Sequence, residues 1–276
     1  MAITSLLTQV QDTPVGRKRL AACLDLAARL KAQLIGVGVQ AFAPYVNGSG
    51  AFGFVDGAAI QAIRDEIDRE ISLAHTLFEA ETARTGVVGT WRSSLGDPCD
   101  VMAHAARAAD MIVASRHDKT AGPGFTAFAS DLVIASGRPV LVTPQDCQTL
   151  TLQKALICWK DSREARRALS DALPLLAQSD QVTVLEIADA DGHDEALFRT
   201  QSVVGFLAGH GISARAEVAR KRQGRVSETI LAEATRCGAD YLVLGGYAHA
   251  RLREWVLGGV TQDIIDATPI PALLSH

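Results

Sequence analysis

The chain has 276 residues, 48% of them hydrophobic and 21% charged, with a net charge of −4. That balance suits a globular protein of two domains and, with no dense run of Lys and Arg, excludes nucleic acid as the main partner. No apolar run reaches the ~20 residues of a membrane helix and no secretory leader is evident. The five cysteines (Cys23, Cys99, Cys147, Cys158, Cys237) never form a C-x-x-C pair, so a reducing, cytoplasmic setting is expected.

Asp12 and Thr13 precede a helical run from Arg17 to Leu30. The stretch from Ala41 to Gly57 has no regular period and sets Tyr45, Phe52 and Phe54 among glycines, which suggests a loop covering a neighbouring surface in this chain or a second subunit. From about Ala58 to Arg84 the residues Ile60, Ile63, Ile67, Ile71, Ala74 and Leu77 recur at helical spacing and predict a core-facing helix. Asp97 is a candidate N-cap for the next helix, and Pro139 to Val142 reads as a closing strand. A short polar linker, Thr143 to Lys154, then separates an N-terminal domain, 1–147, from a C-terminal one, 148–276.

In the second half short apolar runs alternate with amphipathic ones. Strands are expected at Ala155 to Trp159, Val182 to Ile187, Ala214 to Val218, Tyr241 to Leu244 and Ala272 to Leu274. Helices are expected at Arg163 to Leu176, Glu195 to Ala208, Ser227 to Cys237 and Gly259 to Ala267. This order predicts a parallel sheet covered by helices.

The two halves repeat one another. Asp110, before an apolar strand, corresponds to Asp240, and Asp97 to Ser227 at the same separation; Asp12 and Thr13 correspond to Asp161 and Ser162. The fold expected is therefore α/β with two tandem doubly wound domains, each a five-stranded parallel sheet with helices on both faces. The closing strands, short, apolar and Pro-led, are expected to meet in an intrachain pseudo-dimer, with a homodimer also open.

The segment after Leu244 carries the chemistry. Gly245 and Gly246 follow a buried strand, a short basic stretch with His249 and Arg251 comes next, and Gly258, Gly259, Val260 and Thr261 open a helix. Glycines admit a ligand close to the backbone, and free N–H groups at a helix start suit a phosphate. His249 and Arg251 could contact that phosphate, and Thr261 supplies the nearest hydroxyl. Lys160 and Asp161 end the first strand of this half; Lys160 could reach an anion or solvent, and Asp161 or Ser162 could cap the helix from Arg163.

The pattern G-x-x-A-x9-G-G from Gly245 through Ala248 to Gly259 resembles the nucleotide loop of the universal stress protein family, G-x-x-G-x9-G followed by Ser or Thr. The run from Lys154 to Leu176 resembles that family's first strand and helix, and Ile270 to Leu274 its closing strand. With the duplication, the resemblance covers nearly the whole chain and implies the tandem type. It further implies ATP, or AMP or ADP, bound at Lys160, Asp161, Gly245, Gly246, His249, Arg251, Gly258, Gly259, Val260 and Thr261, with Mg accompanying the nucleotide. A stress-response or regulatory role, an as yet unknown protein partner and weak ATPase activity at most are implied as well. The sequence departs from the pattern at Ala248, at Gly259 and at Lys160, where ATP-binding members often place an Asp.

In the first half Ser115, Arg116, Asp118, Phe128, Ala129 and Asp131 stand where the loop residues would be. A phenyl ring in the phosphate space and a carboxylate near the helix start oppose an anion, so this half is expected to be a scaffold. The seven histidines show no metal-binding spacing, and neither a G-x-S-x-G elbow nor a Walker loop is present. The rival readings are a nucleotide-free interaction scaffold of the same fold and, behind it, an enzyme acting on an adenylated substrate.

Overall fold

The computed structural model describes residues 2–41, 57–116, 125–221, 224–247 and 259–276. Its first half runs β1 (Ser5–Gln9), α1 (Pro14–Leu30), β2 (Gln33–Gln40), α2 (Gly57–Thr85), β3 (Gly89–Leu95), α3 (Pro98–Ala105), β4 (Met111–Ser115), α4 (Ala129–Ala135) and β5 (Val140–Thr143). The second runs β6 (Lys154–Trp159), α5 (Arg163–Leu176), β7 (Gln181–Ala188), α6 (His193–Gly209), β8 (Arg215–Arg220), α7 (Val226–Cys237), β9 (Tyr241–Gly245), α8 (Gly259–Ala267) and β10 (Ala272–Ser275). The anticipated loop of Ala41 to Gly57 falls almost wholly outside the described residues.

All ten strands join one sheet in the order β3-β2-β1-β4-β5-β10-β9-β6-β7-β8. Each half is a parallel, doubly wound set whose chain direction across the sheet reverses beside its first strand, between β1 and β4 and again between β6 and β9. The closing strands meet as expected: β5 and β10 pair antiparallel, with Leu141 opposite Leu273. Antiparallel pairing places the pseudo-twofold perpendicular to the sheet, so the carboxyl ends of the two parallel sets point in opposite directions.

Successive strand residues face opposite sides, which sorts the core into two layers. Leu6 and Val113 pack with α1, α2, α5 and α6 on one face; Leu7 and Ile112 pack with α3, α4, α7 and α8 on the other. Both layers run through the β5–β10 junction, for Leu141 and Leu273 belong to the first, Val142 and Leu274 to the second.

The repeated aspartates prove to be structural clamps. Asp110 Oδ2 accepts from the backbone and hydroxyl of both Thr4 and Ser5 at 2.8–3.0 Å, fixing the start of β1 to the start of β4. Asp240 accepts from the N–H groups of Gln153 at 3.0 Å and Lys154 at 2.8 Å, fixing β6 to β9 in the same way. Burial acts to raise the Asp110 pKa, yet these hydrogen bonds leave it below the usual carboxylate value.

Three local expectations meet corrections or additions. Asp97 caps α3 as anticipated, accepting from Cys99 and Asp100, but α7 begins at Val226, and Ser227 does not cap it. Its hydroxyl donates instead to Asp263 Oδ2 at 2.8 Å, because the α8 carboxylate is a stronger acceptor than the helix offers. The linker between the halves is less polar than its composition suggests: Leu150 and Leu152 are buried, and α1 holds it through Arg29, which donates to the carbonyls of Leu150 and Thr151.

Candidate functional site

A cavity of about 440 Å³ opens at the carboxyl ends of β6, β7 and β9, beside the reversal point of the second half. Its apolar wall comprises Cys158, Leu185, Ile187 and Leu244 from the strands and Val226 and Ile230 from α7. One rim is formed by Gly245, Tyr247 and the start of α8, Gly259 to Thr261. The other carries Lys160, Glu186, Asp189 and Lys221.

Of the residues anticipated from sequence, Lys160, Gly245, Gly259, Val260 and Thr261 line this cavity. Asp161 does not; it is exposed and ion-paired with Arg166, while Ser162 caps α5 by accepting from Ala165 N–H at 3.2 Å. Gly246 also lies off the cavity wall, facing the first half. Ala248, His249, Arg251, Trp255 and Gly258 lie outside the described residues.

The two glycines after β9 have packing reasons of their own. A Cβ on Gly245 would stand 2.5 Å from the Ala165 nitrogen, so the glycine lets the strand end touch the first turn of α5. A Cβ on Gly246 would stand 2.7 Å from Val133 Cγ1 in α4. At Gly259 a Cβ would meet nothing within 4 Å among the described residues, leaving open space there at the helix start.

Tyr247 gives the glycine rim its shape. Its backbone is left-handed, φ 56°, a conformation that costs a bulky residue about 1–3 kcal/mol and needs support from its surroundings. That support is visible: Tyr247 N–H donates to Thr261 Oγ1 and its hydroxyl to Gln262 Oε1, both at 3.2 Å. Burial, with Asp131 of α4 adding its charge, pushes the phenol up to about 12. Burial likewise pushes the Cys158 thiol up to about 12, so the sulfur facing the cavity stays protonated at neutral pH. Trp159, also on the wall, has a buried indole N–H with no partner among the described residues.

Residues 151–276 match the family model described as the universal stress protein family. That match takes in the second half of the chain, which is similar to this family. A curated relative, the universal stress protein Slr1230 of Synechocystis sp., is 25% identical over 169 residues; the match covers 59% of this chain and 57% of the relative, so it spans little more than half of that protein. Among solved structures, a universal stress protein from Archaeoglobus fulgidus superimposes with a TM-score of 0.73 at 15% identity, covering 98% of this chain and 95% of its own. A functionally unknown protein of Pseudomonas aeruginosa follows at 0.59 and 16%, with 99% and 92% covered. At these identities the structures establish a shared fold.

The first half has its own cavity, of about 360 Å³, at the ends of β1 and β2. Its lining includes Gln11, Asp12, Gln40, Arg69, Glu70 and Phe125, with no residue of α4. Phe128, the ring expected in the phosphate space, sits at the N-cap of α4 and is 39% exposed. Phe125 supplies the aromatic wall, and its carbonyl accepts from Gln9 at 2.7 Å and Gln11 at 2.5 Å. Arg19 occupies the space beneath, donating to the Gln9 carbonyl, Gln11 and Ser115. Desolvation lowers this fully enclosed guanidinium to about 10.

Sequence reasoning missed most of the cavity: Tyr247, Cys158, Leu185, Ile187, Glu186, Asp189, Lys221, Val226 and Ile230. Strand-end positions supplied a usable signal, since open α/β sheets bind ligands beyond the carboxyl ends of their strands. Nothing local in the sequence places α7 across the cavity from β7.

Proposed function

We propose that the C-terminal half binds ATP, or AMP or ADP in its place, and that occupancy rather than turnover is its output, in a stress-response or regulatory setting. One observation carries this reading. A single cavity combines apolar walls from Leu185, Ile187 and Ile230 with a glycine-opened helix start at Gly259 to Thr261. Its volume of about 440 Å³ lies within the roughly 300–1,000 Å³ of small-molecule sites. The apolar walls suit a purine, and the N–H groups and dipole of the helix start suit phosphate, with Mg entering as the nucleotide's counter-ion. The match of this half to the universal stress protein family supports the same ligand class. Hydrolysis would be slow or absent on this reading, and the first half would serve as a scaffold.

A second reading, a nucleotide-free interaction scaffold, is favoured by the packing of Gly245 and Gly246 against Ala165 and Val133, which accounts for both glycines without a ligand. Calorimetric titration of the full chain with ATP decides between them. Saturable binding by the native protein, lost in a folded Gly259→Leu variant, is expected from the first reading. The absence of binding to the native protein, or its persistence in Gly259→Leu, would establish the second.

A further inference from the structure

The rim opposite the glycines is built from the ends of β7 and β8 and carries a charge pattern that the phosphate cradle does not explain. Ala188 and Arg220 are paired in register, and Lys221 N–H donates to the Ala188 carbonyl at 3.1 Å, so Asp189 and Lys221 stand side by side where the strands end. Both line the cavity. Asp189 has the extended backbone of an N-cap, φ −72° and ψ 170°, before a short helical turn, yet its side chain makes no capping hydrogen bond. That is unusual for Asp, one of the residues that cap most readily. The other acid on this rim, Glu186, is held by Arg199, with Nε–Oε1 at 3.0 Å and Nη2–Oε1 at 2.5 Å. At the ends of β7 and β8 the rim therefore offers the cavity the Asp189 carboxylate beside the Lys221 ammonium, with Lys160 further along it at the end of β6.

Geometry says which part of a ligand meets them. β7 lies two strands from β9, and β8 three, so this rim stands about 10–14 Å from the glycine rim. That is the reach from a 5′-phosphate to the far edge of its base. The apolar side chains between, Leu185, Ile187 and Ile230, would cover the faces of the ring, leaving its hydrogen-bonding edge to the charged pair. An adenine edge sets an exocyclic amino donor beside a ring-nitrogen acceptor, the complement of a carboxylate beside an ammonium.

We propose that Asp189 and Lys221 are the base-reading pair of this site, the carboxylate accepting from the 6-amino group and the ammonium donating to the adjacent ring nitrogen. The inference rests on the nucleotide reading given above. It makes the site selective for an amino-bearing base through two side chains that lie outside the phosphate loop.

The test is a cycle of ligand and protein deletions by calorimetry on the full chain, using ATP, purine riboside triphosphate, which lacks the 6-amino group, and 2′-deoxyATP. Native protein is expected to prefer ATP over purine riboside triphosphate by roughly five- to tenfold, the size of a charge-assisted hydrogen bond reduced by solvent exposure. Asp189→Ala is expected to bring that ratio close to one, and Asp189→Asn, which keeps an acceptor oxygen, to preserve part of it. A native ratio near one, or a ratio unchanged in Asp189→Ala, overturns the pairing. So does a Asp189→Ala effect confined to the 2′-deoxyATP comparison, which would assign the carboxylate to the ribose. A native protein that binds none of the three refutes the nucleotide reading itself, which keeps the two failures distinct.

Discussion

Gly245 and Gly259 share one cavity wall for opposite reasons, and single substitutions separate them. A methyl at Gly245 would collide with the α5 backbone at 2.5 Å, whereas one at Gly259 enters open space. Gly245→Ala is therefore expected to lower stability by about 1–3 kcal/mol, the cost of overpacking a close backbone contact, while Gly259→Ala changes it by less than about 1 kcal/mol. Urea unfolding of the two variants checks this, and equal midpoints would refute it. The buried thiols give a second prediction. Burial pushes Cys23 and Cys158 from an ordinary value of 9.0 up to about 12. Thiols of the unfolded chain ionise near 9 while the folded ones do not, so their contribution is complete below that pH and is lost as pH rises towards 12. Alkaline unfolding followed between pH 9 and 12 should shift upward in a Cys23→Ala, Cys158→Ala double variant once its neutral-pH stability is subtracted. A profile parallel to the native one would contradict that expectation.

At the scale of elements, α7 and α8 set the width of the cavity, since Val226 and Ile230 come from one and Gly259 and Val260 from the other. Asp263 holds their first turns together, accepting from Arg225 and from the buried Ser227, each at 2.8 Å. Arg225 is largely exposed, so its ion pair adds little, and the Ser227 hydroxyl carries most of the effect. Asp263→Ala should cost about 1–2 kcal/mol in urea unfolding, because it strands that hydroxyl, while Asp263→Asn, still an acceptor, should cost less. Equal losses in the two variants would show that charge rather than the hydroxyl bond matters. The same variants test whether helix spacing governs the site, through any accompanying change in ATP affinity.

For the whole molecule the decisive contact is β5 against β10. Leu141 and Leu273 are fully buried there, and the two hydrophobic layers pass through the junction without a break. The halves should accordingly unfold as one cooperative unit. Trp91 in the first half and Trp159 in the second allow this to be observed separately in variants that keep one tryptophan each. Coincident urea midpoints from both fluorescence probes and far-ultraviolet circular dichroism are expected. Leu273→Asp, which buries an unpaired charge at the junction, should lower both fluorescence midpoints together. Two separate transitions in the native chain would show the halves to be energetically independent.

Much was legible in the sequence because it depends on local periodicity or on repetition. The bounds of α5 and α8, the cap at Asp97, the meeting of the closing strands and the doubly wound pattern all follow from alternating apolar runs, capping residues and the correspondence of Asp110 with Asp240. Gly245 and Gly259 likewise marked one rim of the cavity, because a glycine leaves its backbone open to a close neighbour or to a ligand. What makes the approach was not legible: only the folded chain shows that Gly245 yields to Ala165 and Gly246 to Val133, residues remote in sequence. The opposite rim was hidden for the same reason. Asp189 and Lys221 are ordinary surface residue types in sequence, and they become a pair only when β7 and β8 align in register at the mouth of the cavity. The sequence by itself determined the fold, through the periods of its elements. The tertiary structure decided the site, through contacts between strand ends and helices that no local pattern encodes.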